Sequence, residues 1–191
     1  RAAQAGTTHL SFVDFEGNVR RGDLIANRDT IDDLAEIFTE LFNEGFPIEA
    51  MRSVEKYDGD VRASLEANNT SAFNCRRPDQ INAPVLDSPH ANGRAVDINP
   101  YQNPWTDPRC DCWVPSADFA AQRTGPGVID EGGLPWRLFT ERDWIWQDIK
   151  TPEQRAALGD NWLSKINFAS LKLIVINSLV TIAGIEVLKA F

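Results

Sequence analysis

The chain has 191 residues, of which 42% are hydrophobic and 25% charged, and its formal net charge is −9. That length and balance fit one globular domain with its own apolar core. The acidic surface argues against a nucleic-acid partner, because binding a phosphate backbone needs a basic face that displaces counterions.

The chain opens on Arg1 rather than methionine, the start expected of a processed or trimmed product, signal-peptide removal being one route to it. His9-Leu-Ser-Phe-Val-Asp-Phe15 is rich in β-branched and aromatic residues, Glu16-Gly-Asn18 suits a turn, and Val19 to Ala26 reads as the return strand, so a β-hairpin is predicted. Asp29 or Thr30 would cap the next helix, with Asp32 and Asp33 at its positive end. Leu34, Ile37, Phe38, Leu41 and Phe42 recur at three- and four-residue steps and give that helix one apolar face, and Gly45 and Pro47 stop it. Ile48 to Val54 reads as a short strand, and Tyr57 to about Pro89 is polar and turn-rich without a strong period.

Gly93 to Asn99 reads as a strand, and Asn103 to Gly133 as a long Pro/Gly/Asp-rich insertion of the kind that forms binding loops or lids. Pro135 to Trp144 suits a short helix, and Trp144-Ile-Trp146 the opening of a strand. Residues 166–191 carry only Lys172, Glu186 and Lys189 as charged groups. The uncharged run between Lys172 and Glu186 is shorter than the roughly 20 residues that span a bilayer, so a core-packed or surface-docked helix is expected there rather than a membrane span. No internal repeat is present. The three cysteines are Cys75, Cys110 and Cys112; Cys75 is a candidate to bridge to either of the others in an oxidising compartment. The Cys-x-Cys spacing matches neither a zinc ribbon nor the Cys-x-x-Cys helix context of redox proteins.

The segment that carries chemistry is Ser88-Pro-His-Ala-Asn-Gly-Arg-Ala-Val-Asp-Ile-Asn-Pro100. His90 offers an imidazole and Asp97 a carboxylate, both zinc ligands by type. On a straight strand, positions seven apart face opposite ways. Gly93 removes the obstacle, because glycine accepts positive φ and lets the chain turn before it re-enters as a strand. Beyond that bend Ala95, Asp97 and Asn99 share one face, with the small Ala95 leaving room for metal or substrate, and Val96 and Ile98 share the other and can pack inward. Taken alone, such a pair reads as a turn with one exposed His and a capping Asp.

The residues around the pair point further. Ser88, His90, Gly93, Ala95 and Asp97 satisfy S-x-H-x-x-G-x-A-x-D, and the segment resembles the signature of the VanY-like D-alanyl-D-alanine carboxypeptidases and L-alanyl-D-glutamate endopeptidases, a group of zinc peptidases. Asn68-Asn-Thr-Ser-Ala-Phe-Asn-Cys-Arg76 is similar to the stretch that precedes the signature in a secreted bacterial branch, and the likeness runs from Phe12 to Trp146. The resemblance implies an α+β fold: a single compact domain with a small antiparallel sheet, packed helices and a metal cleft on the open face of the sheet. It implies Zn2+ held by His90 and Asp97, Arg76 binding substrate and steadying the developing oxyanion, and Ser88 binding substrate or a group next to the metal. Gln80 is a weaker candidate for a polar substrate contact. The implied substrate is a peptidoglycan stem peptide, and the implied location is secreted or cell-wall associated, as a monomer.

The pattern then breaks. The group closes its site with an acid, as general base, three positions before a second histidine. Here Glu153 stands where the acid belongs, but Ala156 takes the histidine's place, and the chain has only His9 and His90. His9 falls in the predicted hairpin, where it reads as an ordinary surface or strand residue. Asp160 and Glu186 are carboxylates of the tail without a spacing argument as substitute ligands. The expected division is a peptidase-like domain over residues 1–152 and an atypical apolar tail over 153–191. Three functions compete: an active zinc peptidase, a catalytically inactive wall-binding module on the same scaffold, and a small redox protein using Cys110 and Cys112.

Overall fold

The computed structural model describes residues 5–75, 89–107, 110–121, 124–147 and 173–175. It begins with the expected hairpin: β1 (Ala5–Val13) and β2 (Val19–Asn27) pair antiparallel from Ala5↔Asn27 to Val13↔Val19. Alternation puts Leu10, Phe12, Leu24 and Ala26 into the core and leaves His9 and Asp23 facing water. The turn is organised by Asp14, whose buried carboxylate accepts from the Asn18 and Glu16 backbone N–H groups at 2.7 and 3.1 Å and from Arg20 Nε at 2.7 Å.

Helix α1 (Ile31–Asn43) follows a short 3-10 turn over Arg28–Thr30. Of the two predicted cap residues, Thr30 takes the N-cap position but makes no side-chain cap bond; Asp29 pairs with the Arg94 guanidinium, and Asn27 caps the preceding 3-10 turn. Leu34, Ile37, Phe38 and Leu41 are buried as their spacing predicts. The helix stops at Gly45, whose φ of 70° allows its N–H to bond Phe42 O at 3.1 Å while Phe46 N–H reaches Leu41 O at 2.9 Å. This paired closure satisfies carbonyls that the helix end would otherwise leave open.

The predicted strand over Ile48 to Val54 contracts to β3 (Ala50–Met51), which pairs parallel with β4 (Asn69–Thr70). Between them lie a 3-10 turn (Val54–Tyr57) and α2 (Val61–Glu66), capped by Asp60. This region read as turn-rich because a six-residue helix with only Ser64 and Leu65 buried has no room to show a period. Strand β5 (Ala95–Val96) is shorter than the Gly93–Asn99 span. The insertion folds into an antiparallel pair, β6 (Trp105–Asp107) and β7 (Cys112–Val114), and is pinned behind it by Asn103, which donates to Gly127 O and accepts from Ile129 N–H, both at 2.9 Å. Helix α3 (Leu134–Thr140) and β8 (Ile145–Gln147) agree with the expected helix and strand.

Residues 173–175 form a strand, β9 (Leu173–Val175), where a helix was expected; the rest of 153–191 lies outside the described residues. β9 lies between β5 and β8 in a three-stranded parallel sheet. One core cluster draws on β1, β2, α1, Ile48, Met51, Ala72, Val96, Ile98, Ile129, α3 and Trp144. The Phe139 ring bridges Phe38 and Trp144 edge-on at 6.4 and 5.3 Å, and Trp144 Nε1 donates to Asp33 at 3.1 Å. The fold is therefore mixed α and β with a small antiparallel two-stranded sheet and few helices, and β5 belongs to a separate parallel sheet. Among the described residues, no helix is long and apolar enough to cross a membrane.

The cysteine pairing differs from expectation. Cys110 and Cys112 are bonded to each other, and Cys75 is free and exposed. Chain-entropy stabilisation grows with the loop closed, from about 1.6 kcal/mol for so small a ring to about 3 kcal/mol for a 15-residue loop, so this bond contributes little to the fold.

The hairpin turn yields a pH prediction. Burial acts to raise the Asp14 pKa, but Arg20 and the Asn18 groups outweigh it and hold it at about 2, below the ordinary 3.8. The stabilisation is complete above pH 3.8 and is lost as pH falls toward 2. Asp14→Asn should therefore melt below the native protein at neutral pH, with the gap between their Tm values closing as both are titrated through that acid range.

Candidate functional site

His90 sits in a 3-10 turn, Pro89–Asn92, and Asp97 directly follows β5. The bend between them is Gly93, at φ 67°, with its carbonyl accepting from Asn27 N–H at 2.8 Å. A Cβ there would lie 2.5 Å from Asn27 N and 2.8 Å from Ala26 C, so glycine is required both by the conformation and by the closeness of β2. Asn27 Nδ2 also donates to Asn92 O at 3.0 Å, and Arg94 pairs with Asp29. The bend is thus fastened to the junction of β2 and α1, the most regular part of the fold.

One extended segment, residues 70–74, holds the two side chains in relation. Ser71 and Asp97 exchange backbone hydrogen bonds at 3.0 and 2.9 Å. The next residue, Ala72, presents its carbonyl to His90 Nδ1 at 2.9 Å, and Asn74 N–H donates to His90 O at 3.0 Å. Phe73 N–H bonds Ile25 O at 2.9 Å and ties the segment to β2. Since a carbonyl only accepts, Nδ1 donates to it, and Nε2 is turned away from Ala72.

The far ring nitrogen, Nε2, faces Asp97. His90 Nε2 lies 3.5 Å from Asp97 Oδ1, and each side chain is 13% exposed. The separation is long for a charge-assisted hydrogen bond, which closes to about 2.7–2.9 Å. Two donors about 2.1 Å from one tetrahedrally coordinated ion stand about 3.4 Å apart, which is how the donor pair fits a small divalent cation. The Ala72 carbonyl on the far nitrogen supplies the outer support that metal-binding imidazoles commonly carry.

The surroundings depart from expectation in detail. Val96 and Ile98 are fully buried in the core as predicted, but Ala95 is fully buried as well and does not open space on its side. Asn99 turns out of the strand at φ 43°, and its side chain bonds Glu49 N–H and Pro47 O at 3.1 and 2.8 Å. His9 is remote in role: it sits on β1, its side chain 76% exposed, with Nδ1 2.6 Å from Asp23 Oδ1. Among the described residues, no three His, Cys, Asp or Glu side chains are grouped to hold a metal. Arg76, Gln80, Ser88 and Glu153 lie outside the described residues, as do Asp160 and Glu186. Sequence reasoning missed the backbone of Ser71 and Ala72, whose side-chain types carry no sign of that duty. It also missed Asn74, whose Oδ1 is buried with no hydrogen-bond partner among the described residues. No family model, curated protein or solved structure matches the chain.

Gly93→Ala tests the bend directly. The positive φ and the backbone clash together should cost about 2–4 kcal/mol in denaturant unfolding. Chemical shifts of the His90 ring should move with it, whereas Gly17→Ala, in the exposed hairpin turn with nothing within 4 Å of its Cβ, should leave them in place.

Proposed function

We propose that this chain is a zinc-dependent peptidase that acts on D-amino-acid-containing peptides of the bacterial cell wall, as a carboxypeptidase or endopeptidase. The observation that carries the reading is the His90–Asp97 pair, 3.5 Å apart, with the far ring nitrogen tied to Ala72 O. The geometry speaks for a cation; the resemblance of residues 88–97 to the zinc-peptidase signature speaks for the substrate. Zn2+ bound there supplies Lewis-acid polarisation of a carbonyl and acidification of water.

His90 and Asp97 would hold the ion, the imidazole through Nε2 and the carboxylate through Oδ1. Ala72 O keeps the ring in the tautomer that leaves Nε2 free of a proton. The resemblance assigns Arg76 to the substrate and to the negative charge that builds on the attacked carbonyl, a task suited to a permanently charged fork of donors. It assigns Ser88 to a hydrogen bond with substrate and Glu153 to taking a proton from water and returning it to the leaving amine. The natural location of such an activity is the cell wall or its exterior.

A second reading has its own support. The chain has two histidines, and His9 is engaged with Asp23 on the hairpin. Two protein ligands hold zinc more weakly than three, so the scaffold could serve as a wall-binding module whose chemistry is lost.

Zinc content after extended dialysis, followed by digestion of muropeptides ending in D-residues, separates these readings. The peptidase reading expects stoichiometric zinc, more than tenfold weaker binding in His90→Ala and in Asp97→Ala, and cleavage that disappears in both variants. Zinc binding without cleavage selects the wall-binding module. Zinc affinity unchanged by both substitutions would refute the site itself. His9→Ala should leave zinc affinity unaltered.

A further inference from the structure

We propose that the Cys110–Cys112 disulfide is a thiol–disulfide exchange site that takes electrons from dithiols, an activity separate from the His90–Asp97 pair. The bond lies in the turn between β6 and β7, and Cys110, Asp111 and Cys112 are all exposed. An attacking thiolate therefore reaches sulfur without any opening of the fold. Exposed disulfides of this kind are the exchangeable ones, while buried ones resist reduction.

The strands beside the bond have backbone pairing of their own. Trp105↔Val114, Thr106↔Trp113 and Asp107↔Cys112 pair through the ladder, and Cys110 N–H bonds Asp107 O at 3.3 Å. The ring encloses a single residue, Asp111, at φ 50°, a left-handed conformation that aspartate tolerates in turns. A bond that closes so short a loop in the open has little structural purpose; reversible reduction suits it better.

The chemistry balances with a dithiol as reductant. One thiolate of the dithiol attacks Sγ of Cys110 or Cys112, forming a mixed disulfide and expelling the other cysteine as a thiolate that takes up a proton. The second thiol of the dithiol, deprotonated, attacks the mixed disulfide, releases the remaining cysteine as a thiol and leaves as an oxidised, internally bonded disulfide. Two electrons and two protons pass to the pair. The fitting partner is a flexible peptide or small molecule with two nearby thiols, since the site is an exposed turn rather than a pocket. Cys75, free and exposed, is a thiol that could reshuffle with the pair, so it is replaced in one arm of the test.

The test uses the full chain and its Cys75→Ser variant in mixtures of oxidised and reduced dithiothreitol, quenched with acid, alkylated and read by peptide mass spectrometry. Near-ultraviolet circular dichroism follows the fold. The expected result is a reversible change of the 110–112 peptide between bonded and doubly alkylated forms, with the dichroism kept and Tm shifted by no more than about 3–6 °C. The oxidised protein should also convert a reduced two-cysteine peptide to its disulfide, one turnover per chain. Three results would overturn the proposal: a map that finds Cys75 bonded to Cys110 or Cys112, a bond that yields only when the dichroism is lost, or a reduced pair that does not re-form in oxidised dithiothreitol.

Discussion

The arrangement of the candidate site rests on backbone pairing between residues 70–74 and the stretch from His90 to Asp97. Ser71 fixes the height of Asp97, Ala72 fixes the rotation of the His90 ring, and Asn74 fixes the backbone on which that ring stands. Because Phe73 is bonded to β2, the same segment refers both groups to the hairpin. Side chains brought together by a loop alone would drift by more than a donor set tolerates. Here each is positioned by main-chain hydrogen bonds in a largely buried setting, where leaving one unmade costs more than making it gains.

Rigidity of this kind is needed whichever function the His90–Asp97 pair serves. A ligand held by few protein groups gains most when those groups need no reorganisation on binding. The tie from Gly93 to Asn27 and the ion pair from Arg94 to Asp29 extend that rigidity to the start of α1. Asn99 and Asn103 extend it in the other direction, toward Pro47, Gly127 and Ile129.

What the sequence disclosed follows from the range over which each feature is determined. The hairpin, the apolar face of α1, its stop at Gly45 and the bend at Gly93 are written in neighbouring residues, and the structure contains all four. The nearness of His90 and Asp97 was legible in part for the same reason, since Gly93 supplies the bend between them. The supporting Ala72 and Ser71 were not, because a backbone group has no identity in a sequence. The Cys110–Cys112 bond escaped expectation since the choice among three thiols depends on which ends are brought close. Helix α2 was too short to show a period, and β9 acquires its meaning only from partners far along the chain.

That last strand has a bearing on how the protein is made. β9 supplies the middle of its sheet, and its partner Ala95 precedes Leu173 by most of the chain's later half. The hairpin and α1 can form from local sequence soon after they leave the ribosome, but β5 and β8 must wait, each with an open edge, until residues 173–175 emerge. Distant parallel pairings are slow to form, and unpaired edges invite association with other nascent chains. A chaperone that shields β5 during this interval would act on the stretch that leads directly into Asp97.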